Sequence, residues 1–368
     1  MKRRHFMAGA LALGTMSLVR PARAVNAKPL SILILGGTRF IGVHMAEAAL
    51  ARGHRITFFN RGRTNPGLLP QIPRLTGDRN GELEALESGE WDAVIDNSGY
   101  IPRHVELSAQ LLQSRAARYL FISSVSVYPD FSQPRDEDSA VAKLEDETVE
   151  TVNGETYGPL KALCEARVRS IFQSRATVVR PGLIVGPGDN TDRFTYWPAR
   201  ALRGGEFIAP GSSDDAIQII DARDLAAFCI HLLETGTSGT FNALSAPQQF
   251  RMGQLIDAST RAAAARGASA RATWIDAANL AKLEIAPWSD MPVWLPASGD
   301  TAAFASTPTG RAHAAGLKIG TLERTVDDTL AWHLTRPETE RSSLKAGLGA
   351  DRERDLLERW RALRDASG

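Results

Sequence analysis

The chain has 368 residues, with 43 Lys+Arg against 42 Asp+Glu, 43% hydrophobic and 23% charged residues. That is an ordinary globular balance, long enough for one large domain or two moderate ones. A net charge of +1 excludes the large basic excess typical of a nucleic-acid binder, and two cysteines, Cys164 and Cys229, exclude a disulfide scaffold or a cysteine-rich metal site.

Residues 1–24 read as a segment of their own. A basic head (Lys2, Arg3, Arg4) precedes an apolar run from Phe6 to Val19, and Ala22-Arg23-Ala24 places small residues at a cleavage position. The paired arginines followed by Phe6-Met7 look like a twin-arginine export signal. The expectation is passage through the twin-arginine machinery to a bacterial periplasmic or secreted location. The run is shorter than the roughly 20 residues of a membrane span, so no stable membrane anchor is expected. Without this segment 38 basic and 42 acidic residues remain, a net of −4, which weakens the case for nucleic acid further. Both cysteines fall in predicted helices, Lys161–Phe172 and Asp224–Leu233, and are expected to be buried and free.

Next comes an apolar run, residues 31–36 (SILILG), then GGTRFIG, then a helical pattern over His44–Arg52. Strand, glycine turn and helix open a dinucleotide-binding unit. Gly36 suits the tight turn, Gly37 a close backbone approach and Gly42 the packing of helix on strand, while Thr38, Phe40 and Ile41 complete the loop. The helix N-terminus offers free N–H groups to a pyrophosphate. Arg39 stands where the usual pattern has its second glycine, a surface arginine or a guanidinium beside a phosphate. A second strand, Arg55–Asn60, ends in Asn60-Arg61-Gly62-Arg63 with no acid to take the ribose hydroxyls. NAD or NADP fits the unit, and the arginines tilt the choice to NADP. Further strands at Ala93–Asp96 and Tyr119–Ser123 continue an alternation with helices, which implies a parallel sheet covered on both faces.

Tyr157-Gly158-Pro159-Leu160-Lys161 places a phenol and an ammonium four residues apart, on one face of a helix. A nearby ammonium favours the phenolate, and such a tyrosine can move a proton to or from an alcohol. Taken alone this spacing arises often by chance.

Together, the glycine turn, SSVSVY (123–128), YGPLK (157–161) and RPGLIVGPGD (180–189) resemble the extended short-chain dehydrogenase/reductase family, in particular its NAD-dependent epimerase/dehydratase group. The resemblance spans about residues 30–245. It implies a Rossmann-like, doubly wound α/β fold with a smaller C-terminal substrate lobe. The nucleotide-binding domain would cover residues 29–182, with 216–245 returning to it, and the lobe 183–215 and 246–368. It implies Tyr157 as acid/base, Ser124 bonding the reacting oxygen, and Lys161 binding the nicotinamide ribose and lowering the tyrosine pKa. Cofactor contacts carried over on the same ground are Asp78 and Arg79 after the third strand, Asn97-Ser98-Gly99 after the fourth, Ser123, and Arg180, Pro181, Gly182 and Ile184. In DNSGY (96–100) this chain departs from the family's small-residue turn. A homodimer is implied by the family alone.

From Pro187 onward a polar–aromatic stretch holds Asn190, Arg193 and Trp197, which with Ser126 are the candidates for a polyhydroxylated substrate, a surface loop being the plainer reading. Asp224 is the expected helix cap near the return strand, and the tryptophans at 274, 288, 294, 332 and 360 are expected to pack the lobe. The acidic segment from Asp136 to Glu150 reads as a solvated face or a flap. Family members that dehydrate sugars carry Asp-Glu just after the Ser/Thr; Val125 and Ser126 stand there, so epimerisation or alcohol/ketone redox is favoured. An exported enzyme of this kind would do best with a tightly bound cofactor regenerated within each turnover. The competing readings are an NADPH-dependent reductase of a small carbonyl compound and, in another class, a non-catalytic nucleotide- or RNA-binding protein, since GGTRFIG also resembles the loop of chloroplast stem-loop binders. The seven scattered histidines show no ligand spacing, so no metal is expected.

Overall fold

The structure, a computed structural model, describes residues 28–367. The export signal read at residues 1–24 lies outside them. Among the described residues no helix is long and apolar enough to cross a membrane.

Seven strands form one parallel sheet: β1 (Ser31–Leu35), β2 (Arg55–Asn60), β3 (Arg74–Thr76), β4 (Ala93–Asp96), β5 (Tyr119–Ile122), β6 (Ala176–Pro181) and β7 (Gly239–Ala243). Their order across the sheet is 7-6-5-4-1-2-3, so the winding reverses between β1 and β4. In such sheets the crevice outside the carboxyl ends of the strands at the reversal is where ligands bind. The central strands are apolar along their whole length because helices cover both faces: every residue of β4, β5 and β6 is buried. This is the expected Rossmann-like fold.

Helix α1 (Ile41–Ala51) follows the glycine turn, α2 (Pro102–Leu112) follows β4 and α3 (Tyr157–Phe172) precedes β6. Met45, Ala46 and Ala49 of α1 pack on one face of the sheet, while Val105 and Leu112 of α2 and Val168 and Phe172 of α3 pack on the other. A third apolar cluster belongs to the later chain and is centred on Trp197, Phe207, Leu255, Trp294 and Val326. The later chain is not all lobe: Ala312 and Leu317 pack into the core beneath the sheet.

Two local expectations are corrected here. Trp197 is no surface substrate contact; it is fully buried, and its indole N–H donates to Pro292 O at 2.9 Å. The helix over Ala222–Thr235 is capped by Asp221, which accepts from Arg223 N–H, whereas Asp224 accepts from Gly320 N–H at 2.7 Å. The acidic segment is the solvated face expected of it: Asp136, Asp138, Glu145, Asp146, Glu147 and Glu150 are exposed, and Glu137 accepts from Asn242 N–H at 2.9 Å. Both cysteines are buried and free, and burial pushes the Cys164 thiol up to about 12.

Candidate active site

The glycine turn is set by crowding. Gly36 and Gly37 have φ of +108° and +89°, which side-chain-bearing residues rarely adopt. A Cβ on Gly37 would lie 2.3 Å from the Phe58 ring, and one on Gly42 2.6 Å from Gly37 Cα. The turn is pinned by Asn60, whose amide donates to Gly36 O at 3.0 Å, and by Asn65, which donates to Thr38 O at 2.8 Å. On its other side Ser98 Oγ donates to Leu35 O at 2.9 Å.

A cavity of about 610 Å³ opens over this turn. Its lining includes the whole run Gly36–Ile41, then Asn60, Arg61, Asp78, Arg79, Asn97, Ser98, Ile184 and Asn190, all singled out from sequence. Gly42 sits just behind it in α1. The lining also includes Phe59, Arg63, Thr64, Tyr100, Ile101 and His104. Tyr100 lies four residues after β4 and His104 in the first turn of α2, and position after a strand end was the signal that could have found them. The cavity's size and position suit a dinucleotide, and the glycines leave its floor bare of side chains.

Arg79 reaches the cavity's edge with its fork already engaged. It donates to both oxygens of Asp96 at 2.7 Å, and Asp96, fully buried, also accepts from Tyr119 Oη at 2.7 Å. Its role is therefore to hold the β3 and β4 ends together, not to bind a phosphate. Arg180, Pro181 and Gly182, expected beside the nicotinamide, are likewise committed elsewhere. Arg180 points behind the sheet, giving two bonds to Glu165 at 2.9 and 2.7 Å and one to Tyr128 Oη at 3.0 Å. A Cβ on Gly182 would strike Leu244 at 2.8 Å, so the RPG run packs against the end of β7. Ser123 is buried, its N–H bonded to Val179 O and its hydroxyl beside Glu165. Side chains alternate along a strand, and Ser123 and Arg180, side by side at the ends of β5 and β6, fall on the face that carries Glu165.

At the carboxyl end of β5 the chain turns through Ser124, whose Oγ accepts from Ser126 N–H at 3.1 Å. Ser126 itself is exposed. Tyr157 opens α3, and Gly158 lets that helix sit against the serine turn: a Cβ there would lie 2.0 Å from Ser126 O. Tyr157 thus faces Ser124 on one side and Tyr100 on the other, with ring centroids 6.3 Å apart. Burial and the Tyr100 phenol raise the Tyr157 pKa, while the Ser124 hydroxyl and the Arg193 guanidinium oppose them.

Lys161 is buried one turn along. Its Nζ donates to Gly99 O at 2.7 Å and Ile122 O at 2.6 Å, and lies 4.2 Å from the Phe121 ring centroid. Burial brings its pKa down to about 8. Gly99 therefore meets the site through Lys161. The expected depression of the phenol by Lys161 is replaced here by the opposing action of Ser124 and Arg193, because the ammonium is turned to two carbonyls. Among the described residues no three His, Cys, Asp or Glu side chains cluster as metal ligands would.

The profile of the NAD dependent epimerase/dehydratase family matches residues 32–243. Among curated proteins, the chain is 29% identical over 224 residues to the chloroplast stem-loop binding protein of 41 kDa b from Arabidopsis thaliana, covering 55% of this chain and 54% of that one. The chain thus spans about half the length of that relative. It is 26% identical over 232 residues to the epimerase family protein SDR39U1 of Bos taurus, covering 58% of this chain and 74% of that one. Among solved structures, Bordetella bronchiseptica WbmH in complex with NAD+ superposes with a TM-score of 0.59 at 16% identity, over 83% of this chain and 98% of that one. The UDP-glucuronic acid 4-epimerase of Bacillus cereus in complex with NAD gives 0.59 at 14%, over 82% and 96%. At these identities the structural likeness speaks for the fold. The glycine turn, the seven-stranded sheet and the matched stretch of 32–243 agree, and the chain belongs to the NAD dependent epimerase/dehydratase family.

Proposed function

We propose that this protein is an NAD(P)-dependent oxidoreductase or epimerase acting on an alcohol or ketone carbon of a sugar-like, polyhydroxylated small molecule. The observation that carries the reading is the convergence of Ser124, Tyr157 and Lys161 beside the cavity over the glycine turn. The main chain of Gly36–Gly42, with Asn60, Arg61 and Asp78, would hold the dinucleotide, and a bound nicotinamide supplies the hydride acceptor or donor.

The residues of the chain handle the proton. Burial keeps the Tyr157 phenol protonated at neutral pH, ready to give its proton to a carbonyl oxygen; as phenolate it takes the proton of a hydroxyl. Ser124 offers a hydroxyl to the same oxygen. Lys161 fixes the turn at Gly99 and the end of β5, which sets the distance between cofactor wall and acid/base. The test is Tyr157→Phe: turnover should fall about 10²- to 10⁴-fold with nucleotide affinity unchanged. Retained turnover removes Tyr157 from the mechanism.

Arg39, Arg61 and Arg63 are exposed around the adenosine end, and β2 ends without a carboxylate; both favour NADP. NAD is what the solved relatives named above hold, and tighter NAD binding in a titration would overturn the preference. The reading further includes export by residues 1–24 to the periplasm or beyond, a cofactor retained through turnover, and a homodimer. Mass spectrometry of denatured, exported protein should find stoichiometric nicotinamide dinucleotide.

The similarity to a stem-loop binding protein supports one competing reading, RNA binding. The net charge of −4 beyond residue 24 opposes it, because phosphate contacts require a basic surface.

A further inference from the structure

Three aromatic rings from distant parts of the chain form a continuous shelf. Phe131 and Phe304 meet edge to face at 5.2 Å between centroids, and Phe304 and Trp288 at 5.4 Å. All three are only partly buried. The Arg193 guanidinium lies over the Trp288 ring, 5.2 Å from its centroid. Its charge reaches the Tyr157 phenol, which it acts to acidify.

Two features single out this pair. First, Arg193 has no carboxylate within 4 Å among the described residues, although the fold pairs most of its arginines. Its immediate neighbour Asp192 is fully spent, accepting from Arg336 Nη1 at 2.7 Å and Lys345 N–H at 3.1 Å. Second, Trp288 itself and Asp192, the residue before Arg193, have left-handed backbone, with φ +67° and +61°. Such conformations cost free energy in residues with a side chain and gather at ligand-binding positions. They flank a contact in which the guanidinium meets a ring, with the buried Asp189 carboxylate acting on it from beyond salt-bridge distance.

We infer that Arg193 and the Trp288–Phe304 shelf form a specificity site for the carboxylate of a ring-shaped substrate, a sugar acid rather than a neutral sugar. The shelf takes the apolar C–H face of the ring, and the guanidinium takes the carboxylate through two parallel N–H bonds. A single fork matches one carboxylate. Three other cations of this region are occupied: Lys161 by two carbonyls, Arg336 by Asp192 and Glu340, and Lys345 Nζ by Asn190 O.

The inference rests on Tyr157 marking the reaction centre, and the experiment separates the two. Binding of glucuronate, glucose and UDP-glucose to the NAD+-loaded protein is followed by tryptophan fluorescence and calorimetry, in wild type, Arg193→Gln, Arg193→Lys and Tyr157→Phe. Glucuronate should bind about 10- to 100-fold more tightly than glucose to wild type and Tyr157→Phe. The preference should vanish in Arg193→Gln, with glucose affinity unchanged, and survive in part in Arg193→Lys. Equal affinities for acid and neutral sugar in wild type, absence of glucuronate binding, or an Arg193 dependence confined to UDP-glucose would each overturn it. Because Tyr157→Phe is read by binding alone, failure of the acid/base role leaves this result legible.

Discussion

The two walls of the cleft are made in opposite ways. The cofactor wall comes from short, nearly contiguous stretches, and its buried charges are answered inside it: Asp96 by Arg79 and Tyr119, Lys161 by two carbonyls, Glu165 by Arg180. The proposed substrate wall is gathered from residues 131, 193, 288 and 304, and its guanidinium lies on an aromatic face with no carboxylate within 4 Å among the described residues. The first wall is a frame that keeps its buried charges to itself and leaves Arg39 and Arg63 to solvent. The second, on the proposed reading, holds its charge over a ring for a ligand. Stability and recognition are therefore expected to respond to different substitutions.

The largest test of the frame is Arg180→Met. It would leave the buried Glu165 carboxylate, whose pKa Arg180 now holds down against burial, with the exposed Arg169 at 3.0 Å as its remaining ion-pair partner. Removing one partner of such a pair costs about 3–5 kcal/mol, measurable by urea unfolding. A loss under about 1 kcal/mol would erase the distinction between the walls.

Lys161→Met should act in the other direction on stability. Burial lowers the folded pKa to about 8, below an unfolded value near about 10.4. Between these values the unfolded chain binds the extra proton, so this group's contribution rises with pH across that window, and below pH 8 the buried charge is a constant cost. The methionine variant should lose that slope between pH 8 and 10 and be more stable at pH 7 by about 1 kcal/mol, the two carbonyls left without a donor offsetting part of the gain. Its turnover should collapse. A variant less stable than wild type at pH 7 would make Lys161 part of the frame's net support.

The smallest expected effect is that of Trp288→Gly. It removes half the shelf and also relieves the left-handed backbone, so unfolding free energy should stay within about 1 kcal/mol of wild type while glucuronate affinity falls. A loss above about 2 kcal/mol would show the shelf to be structural.

The same contrast explains what could be read from sequence. β1, β2, β4 and β5 were legible because each is a short apolar run ending at a turn, and β2 and β4 fall on their expected bounds. β3 was not, since its three residues are partly exposed and show no apolar pattern. The glycine turn was legible because crowding within a few residues dictates it. Arg180 looked like a cofactor contact by its place in RPGLI, yet its partner Glu165 sits one helix away and on the other face of the sheet. Trp197 looked like a surface residue among polar neighbours, and its partner is Pro292, 95 positions on. The Arg193–Trp288 pair lies beyond local patterning for the same reason.

The tie from Asp192 to Arg336 and Lys345 spans 144 and 153 residues. During synthesis, a nascent chain ending at residue 243 already carries every motif by which the family is recognised. It still lacks the partners that hold Arg193 in place, and Trp288 as well. Contacts so far apart in the chain close late. The chain thus completes the stretch that carries the family's motifs early in its life on the ribosome, and, if Arg193 selects the ligand as proposed, that selectivity only as the last tenth of the chain emerges.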